Sequence, residues 1–361
     1  MRRILLLPLT LAFAATLVPA AVSAIPAAAA ASPAASRDIT AIARAEGAAH
    51  APNLRKPLAT VSAPATPYTY LRDVYPVGKT AGITVDYARG VPARYPNPPS
   101  KSRWLPISIW YPAASGPIAS TDTFWARARP GQFPLVVFAP GFNANPESYQ
   151  RFLHALAAQG YIVAAPVFPL EASIPGAAPA TRSNTEMLNQ MYDMSTVISQ
   201  MITYSKTPGN FLSTAMNPSL VAVVGHSDGA MTVAGMTMST SYTDKRVKTA
   251  VVMSGAGPDG LTWKDRKVVP TMVEQATKDP YNAPSNSQWL FNTVRGARSY
   301  LTVNGVYHIW PLIGTDKVAD LTRRAVVAHL NGQLKGGGAG SFWQLVAAGN
   351  AKGLTSLRFA S

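Results

Sequence analysis

From about Tyr68 onward, short runs of apolar, mostly β-branched residues alternate with longer stretches whose apolar positions recur every three to four residues. The short runs predict strands at Ile83–Tyr87, Leu105–Trp110, Leu135–Ala139, Ile162–Ala165, Val221–Val224, Val247–Met253, Thr271–Val273 and Tyr300–Val303. The longer stretches predict helices over Pro146–Gln159, Glu186–Ser205, Gly229–Ser239 and Asp316–Leu334. Several strand runs are apolar throughout, as expected where helices cover both faces of a parallel sheet. The pattern reads as one α/β domain over residues 67–361, with a mostly parallel central sheet flanked by helices and no internal repeat.

The N-terminal region does not follow this pattern. Arg2 and Arg3 precede an apolar run, Ile4–Val18, which is followed by Pro19 and the small residues Val22-Ser23-Ala24. That order predicts a secretory signal peptide over residues 1–24; the short run and its proline break disfavour a membrane anchor. Residues 25–66 are dominated by Ala, Pro, Ser and Thr and carry too little apolar bulk to offset the entropy of ordering. They are expected to form a disordered leader, and the mature protein is expected outside the cytoplasm, in the medium or the periplasmic or cell-wall space.

Composition narrows the chemistry. None of the 361 residues is cysteine, which excludes disulfides, thiolate nucleophiles and cysteine-ligated metals. Charged residues make up 14% of the chain, with 32 Lys and Arg against 17 Asp and Glu, a formal charge of +15. The cations lie singly or in pairs such as Lys245-Arg246 and Arg323-Arg324, without a basic helix or nucleic-acid motif. Contact with anionic surfaces is therefore expected, and specific nucleic-acid binding is not. A monomer is expected. No His and carboxylate cluster shows ligand spacing, and the chemistry described below needs neither metal nor cofactor.

The strongest motif is Gly225-His226-Ser227-Asp228-Gly229, set between the apolar run Val221–Val224 and the small-residue helix start Ala230–Ala234. A G-x-S-x-G sequence between strand and helix forces a tight turn that exposes the serine hydroxyl, while the helix N-terminus turns its amides toward developing negative charge. Ser227 is the candidate nucleophile. Of the five histidines, His50 lies in the leader, His154 and His329 fall in helical patterns, and the His226 ring is expected to point into the fold. His308, on a loop after the last predicted strand, is the candidate base. The orienting acid should follow a strand between Ser227 and His308. Asp279, beyond the run Val268–Val273, is the first choice, and Asp259 is the reserve one strand earlier; Glu274 reads as structural. The oxyanion donors are expected to be the amides of Phe142, in Pro140-Gly141-Phe142, and Asp228. A carboxylate aimed at the oxyanion would oppose it, so the Asp228 side chain is expected to turn away, capping its helix or meeting a cation.

With these residues in place, the chain resembles secreted bacterial α/β-hydrolases of the group around platelet-activating-factor acetylhydrolases, dienelactone-hydrolase-like proteins and cutinase-type polyester hydrolases. The resemblance rests on Leu105–Pro112, Phe133–Phe142, Gly160–Pro166, the serine turn, the segment ending in Asp279 and the C-terminal helix running to Gly336. It implies an α/β-hydrolase fold, with Ser227, Asp279 and His308 as nucleophile, acid and base, and with Phe142 and Asp228 as oxyanion amides. Two departures bear on substrate. Asp228 stands where polyester hydrolases usually have Met, and the absence of cysteine removes both their common disulfide and the thiol of dienelactone hydrolases proper. Phe142, Phe168, Trp289, Tyr307 and Trp310 are candidate walls for an acyl or aromatic ester group. The expected activity is serine carboxylic ester hydrolysis on a lipid, small ester or polyester. The alternatives are amide or peptide hydrolysis on the same triad, or a non-catalytic binding protein on this scaffold. Whether the loop Glu171–Asn184 covers the site is left open by the sequence.

Overall fold

The computed structural model describes residues 71–240, 242–258, 261, 268–293 and 295–361. The expected signal peptide (1–24) and leader (25–66), together with Asp259, lie outside the described residues. Among the described residues, ten strands form one sheet: β1 (Val77–Asp86), β2 (Arg103–Pro112), β3 (Thr123–Phe124), β4 (Phe133–Ala139), β5 (Ile162–Pro166), β6 (Met216–His226), β7 (Val247–Met253), β8 (Thr271–Ala276), β9 (Arg298–Val303) and β10 (Thr355–Ala360). Their order across the sheet is β10-β9-β8-β7-β6-β4-β5-β2-β1-β3. The stretch from β5 to β9 is parallel, and β2 and β10 flank it antiparallel.

The helices are α1 (Gln150–Ala158), preceded by a 3-10 turn at Pro146–Tyr149, α2 (Asn184–Lys206), α3 (Asp228–Met238), α4 (Pro284–Thr293), α5 (Trp310–Ile313), α6 (Lys317–Leu334) and α7 (Gly338–Gly349). The apolar strands send alternate residues to opposite faces, so each face builds its own core. Val136, Phe138, Ala222, Val224 and Val251 pack with Phe152, Leu156, Leu321 and Val326 of α1 and α6. Leu135, Val137, Val221, Val223 and Val252 pack instead with Met191, Met194, Val197, Ile198 and Val233 of α2 and α3.

β1 begins at Val77, six residues before the predicted Ile83, because Gly78–Gly82 lacks an apolar run yet pairs with β2 along its whole length. β6 likewise starts early, at Met216, and a register shift between Pro134 and Leu135 of β4 accommodates its first residues. The chain passes outward from β4 to β5 and returns across it to β6, so β4 and β6 are neighbours whose ends are level, with Ala139 opposite Gly225. The loops beyond these two strands, together with those beyond β8 and β9, meet at one edge of the sheet. In an open α/β sheet this is where sites assemble.

Candidate active site

β6 runs into α3 through a turn with no spare room. A side chain at Gly225 would land on the Gly229 carbonyl, and one at Gly229 on the Ala139 carbonyl. Ser227 is thereby held at φ 58°, ψ −122°, a region that residues with a side chain seldom adopt. Its N–H donates to the Met253 carbonyl at 3.0 Å, which ties the turn to β7. The hydroxyl does not cap the helix it begins, so it remains available to the cleft.

The turn after β4 crosses directly over the serine, since a Cβ on Gly141 would stand 2.9 Å from Ser227 Cβ. Phe142 N–H donates to no backbone carbonyl among the described residues, and Asp228 N–H, in the first turn of α3, has no acceptor within its own helix. Neither expected oxyanion donor therefore has a backbone acceptor among the described residues.

Asp279 follows β8 and His308 follows β9, and the two meet: His308 Nδ1 donates to Asp279 Oδ2 at 2.6 Å. The same oxygen accepts from Gln275 Nε2 at 3.2 Å, and Oδ1 accepts the N–H groups of Tyr281 and Asn282, each at 2.9 Å. This fixes the carboxylate and, through it, the imidazole tautomer, leaving Nε2 bare as a base. The His308 ring packs against that of His226, the residue preceding Ser227, with centroids 4.4 Å apart and planes tilted by 48°. His226 is buried, as expected, and Glu274 lies fully buried on β8.

The Asp228 side chain meets a cation, as one of the two expected arrangements has it: Arg182 Nη2 donates to Oδ1 at 2.7 Å. Beside it, burial first and the Asp228 charge second push Glu171 up to about 8. Arg182 and Glu171 belong to the loop whose role the sequence leaves open. This loop is tied down along its length, because Arg94 donates to the carbonyls of Pro169, Ala172 and Ala178, and Asn143 N–H donates to the Glu171 carbonyl.

The aromatic candidates divide. Phe142 and Trp310 are each 40% exposed and Tyr307 65%. Trp289, on α4, is half-buried against the second core. Phe168 is a correction: at 2% exposure it belongs to that core, where it fills space among apolar side chains and has no face for a substrate. Tyr281, not singled out from sequence, stands with its ring 5.2 Å from His308 and is well exposed. Its position two residues after Asp279 is the only sequence signal for it.

The sequence profile of the chlorophyllase family matches residues 116–278, a stretch that holds the Pro140-Gly141-Phe142 turn and Ser227 and stops before Asp279 and His308. No curated protein matches the chain. Among solved structures, the chain is similar to a ferulic acid esterase from Streptomyces cinnamoneus, with a TM-score of 0.57 and 20% identity over 77% of this chain and 94% of that one. The chain has the α/β-hydrolase fold.

Proposed function

We propose that the chain is a secreted serine hydrolase that cleaves carboxylic esters through an acyl-enzyme on Ser227. The observation that carries this reading is the Asp279–His308 contact beside a serine held at a strained turn, with two expected oxyanion amides that have no backbone acceptor among the described residues. The chlorophyllase match and the likeness to a ferulic acid esterase support an ester as the bond cleaved.

In this reading Ser227 Oγ attacks the ester carbonyl carbon while its proton passes to His308 Nε2. The resulting oxyanion is met by the N–H groups of Phe142 and Asp228. His308 then gives the proton to the alcohol oxygen as the carbon–oxygen bond breaks. Water repeats the sequence on the acyl-enzyme, yielding the acid and restoring the serine hydroxyl. Asp279 holds the imidazole in place and stabilises its charged form. A hydrogen bond between Ser227 Oγ and His308 Nε2 is expected to form when substrate enters.

A series of p-nitrophenyl esters, from acetate to long acyl chains, tests the activity, and a fluorophosphonate tests the nucleophile. Ser227→Ala should lower kcat by at least about 10⁴-fold and abolish labelling. A variant that keeps turnover within tenfold of the parent would overturn the reading. Secretion is tested by the mass of protein recovered from the medium, expected to begin at Ile25.

A further inference from the structure

The mechanism above uses neither Tyr149 nor His226, yet the two stand between its parts. His226 Nε2 faces the backbone carbonyl of His308 at 3.1 Å. A carbonyl can only accept, so Nε2 carries the proton and Nδ1 is bare. Nδ1 lies 3.0 Å from the Tyr149 hydroxyl, which must therefore donate to it. The Tyr149 oxygen in turn accepts the N–H of Gly141 at 3.0 Å. One polarity is forced along the whole chain of bonds, from the Gly141 N–H through Tyr149 and the His226 ring to the His308 carbonyl.

Each element has a reason to be rigid. Tyr149 ends a 3-10 turn opened by Asn145 and Ser148, whose side chains and backbones cap one another, and its ring packs 4.8 Å from that of Phe138. Burial pushes the Tyr149 phenol well up, so it stays a donor. Burial, and next the nearby His308, hold His226 well below the usual histidine value, so its ring is neutral where His308 must become charged. The pair thus joins three segments that approach the substrate separately: the oxyanion turn after β4, the serine turn after β6 and the histidine loop after β9.

We propose that Tyr149 and His226 form a positioning pair that holds the Phe142 amide and the His308 imidazole in register on opposite sides of Ser227. The pair touches no reacting atom and acts through Gly141 and His308. This rests on the ester-hydrolase reading, and measuring the parent enzyme first separates the two: a parent that neither turns over esters nor reacts with the fluorophosphonate refutes that reading and the pair's role with it.

The test is kinetic, with every preparation titrated to completion by fluorophosphonate so that kcat refers to competent sites, and with Tm recorded alongside. Tyr149→Phe removes one oxygen and leaves the ring. It should lower kcat about ten- to a hundredfold with KM within about twofold of the parent, the size expected when a reacting group is slightly misplaced. His226→Leu should cost at least as much, and His226→Gln, whose carboxamide can still donate to the His308 carbonyl, should recover part of the loss. Tyr149→Phe combined with His226→Leu should be no worse than His226→Leu alone, because the bonds act as one unit. Parent-like kcat per titrated site in Tyr149→Phe, or losses confined to Tm and the titratable fraction, would overturn the proposal. If Tyr149→Phe does not accumulate as folded protein, the comparison of His226→Leu with His226→Gln decides: equal kcat in the two refutes the role.

Discussion

Glu274 occupies β8 ahead of Asp279, and among the described residues Oε1 has no hydrogen-bond partner and Oε2 has a 3.5 Å contact from Ser254 Oγ. Burial first and the charge of Asp279 second push it up to about 8. A carboxyl whose folded pKa lies above its unfolded value contributes stability that is complete below about 4.5 and is lost as pH rises through about 8. Glu274→Gln needs no proton to remain neutral, so it should be more stable than the parent at pH 8.5, by on the order of 1–3 kcal/mol, and equal to it at pH 4.5. Urea midpoints at the two pH values measure this, and an equal gain at both would show that titration is not the cause. The same scale decides what the sequence reveals of the site. Ser227, His308 and Asp279 are legible because each stands just beyond a strand, in a local pattern of glycines or loop residues that packing does not need. Tyr149 and Arg182 are not legible, because their roles exist only through partners 77 and 46 residues away, His226 and Asp228. Phe168 misleads for the converse reason: an aromatic beyond a strand looks the same in sequence whether it faces substrate or core.

Between elements, polar contacts settle how the antiparallel edge meets the helical layer. Glu186 and Asp193 are seven residues apart on α2, two turns along one face, and both are buried. Arg103, at the start of β2 and fully buried, donates through Nε to both Asp193 oxygens, at 2.7 and 2.8 Å, and forms an ion pair with Glu186. Arg89 adds a further bond to Asp193 at 2.8 Å. Arg103→Met should therefore cost about 3–5 kcal/mol by leaving two carboxylates buried without their main partner, whereas replacing Arg103, Glu186 and Asp193 together by apolar residues should recover most of that loss. Equilibrium denaturation of both variants checks this, and a loss below about 1 kcal/mol for Arg103→Met would mean that water reaches the carboxylates. The elements legible in sequence are those with long apolar runs or strong periodicity, and every predicted strand and helix is present. Those missed carry little such signal. α4 opens Pro-Ser-Asn-Ser and buries only Asn286, Ser287, Leu290 and Phe291. α7 opens Gly-Ala-Gly-Ser, and β10 is a six-residue edge strand that pairs only with β9.

Over the whole molecule, buried titratable groups combine into a pH profile of stability that no single site implies. Burial brings His329 down to about 4 and holds His226 well below 6.5. Each contributes stability that is present above 6.5 and lost as pH falls toward its folded value. Glu171 and Glu274, both near 8, work in the opposite sense, losing stability as pH rises from about 4.5. Burial also raises Glu186, Asp193 and Asp228, which lose stability in the same sense, so between 4.5 and 6.5 the two histidines offset only part of the carboxyl loss. Above 6.5 the histidine gain is complete, the carboxyl loss continues and His154 joins it. Burial disfavours the charge on His154, but Asp122 at 2.6 Å and Asp73 at 3.4 Å outweigh that and raise it to about 9. Its contribution is complete below 6.5 and is lost through about 9. The steepest fall in Tm is therefore expected between pH 6.5 and 8. His154→Gln should flatten that fall by on the order of 1–2 kcal/mol, less than the full shift implies because Asp73 is partly in solvent. Thermal melts of parent and variant at fixed ionic strength supply the comparison, and a parent Tm that climbs from pH 6.5 to 8, or an identical slope in the variant, would show that other groups set the alkaline limb.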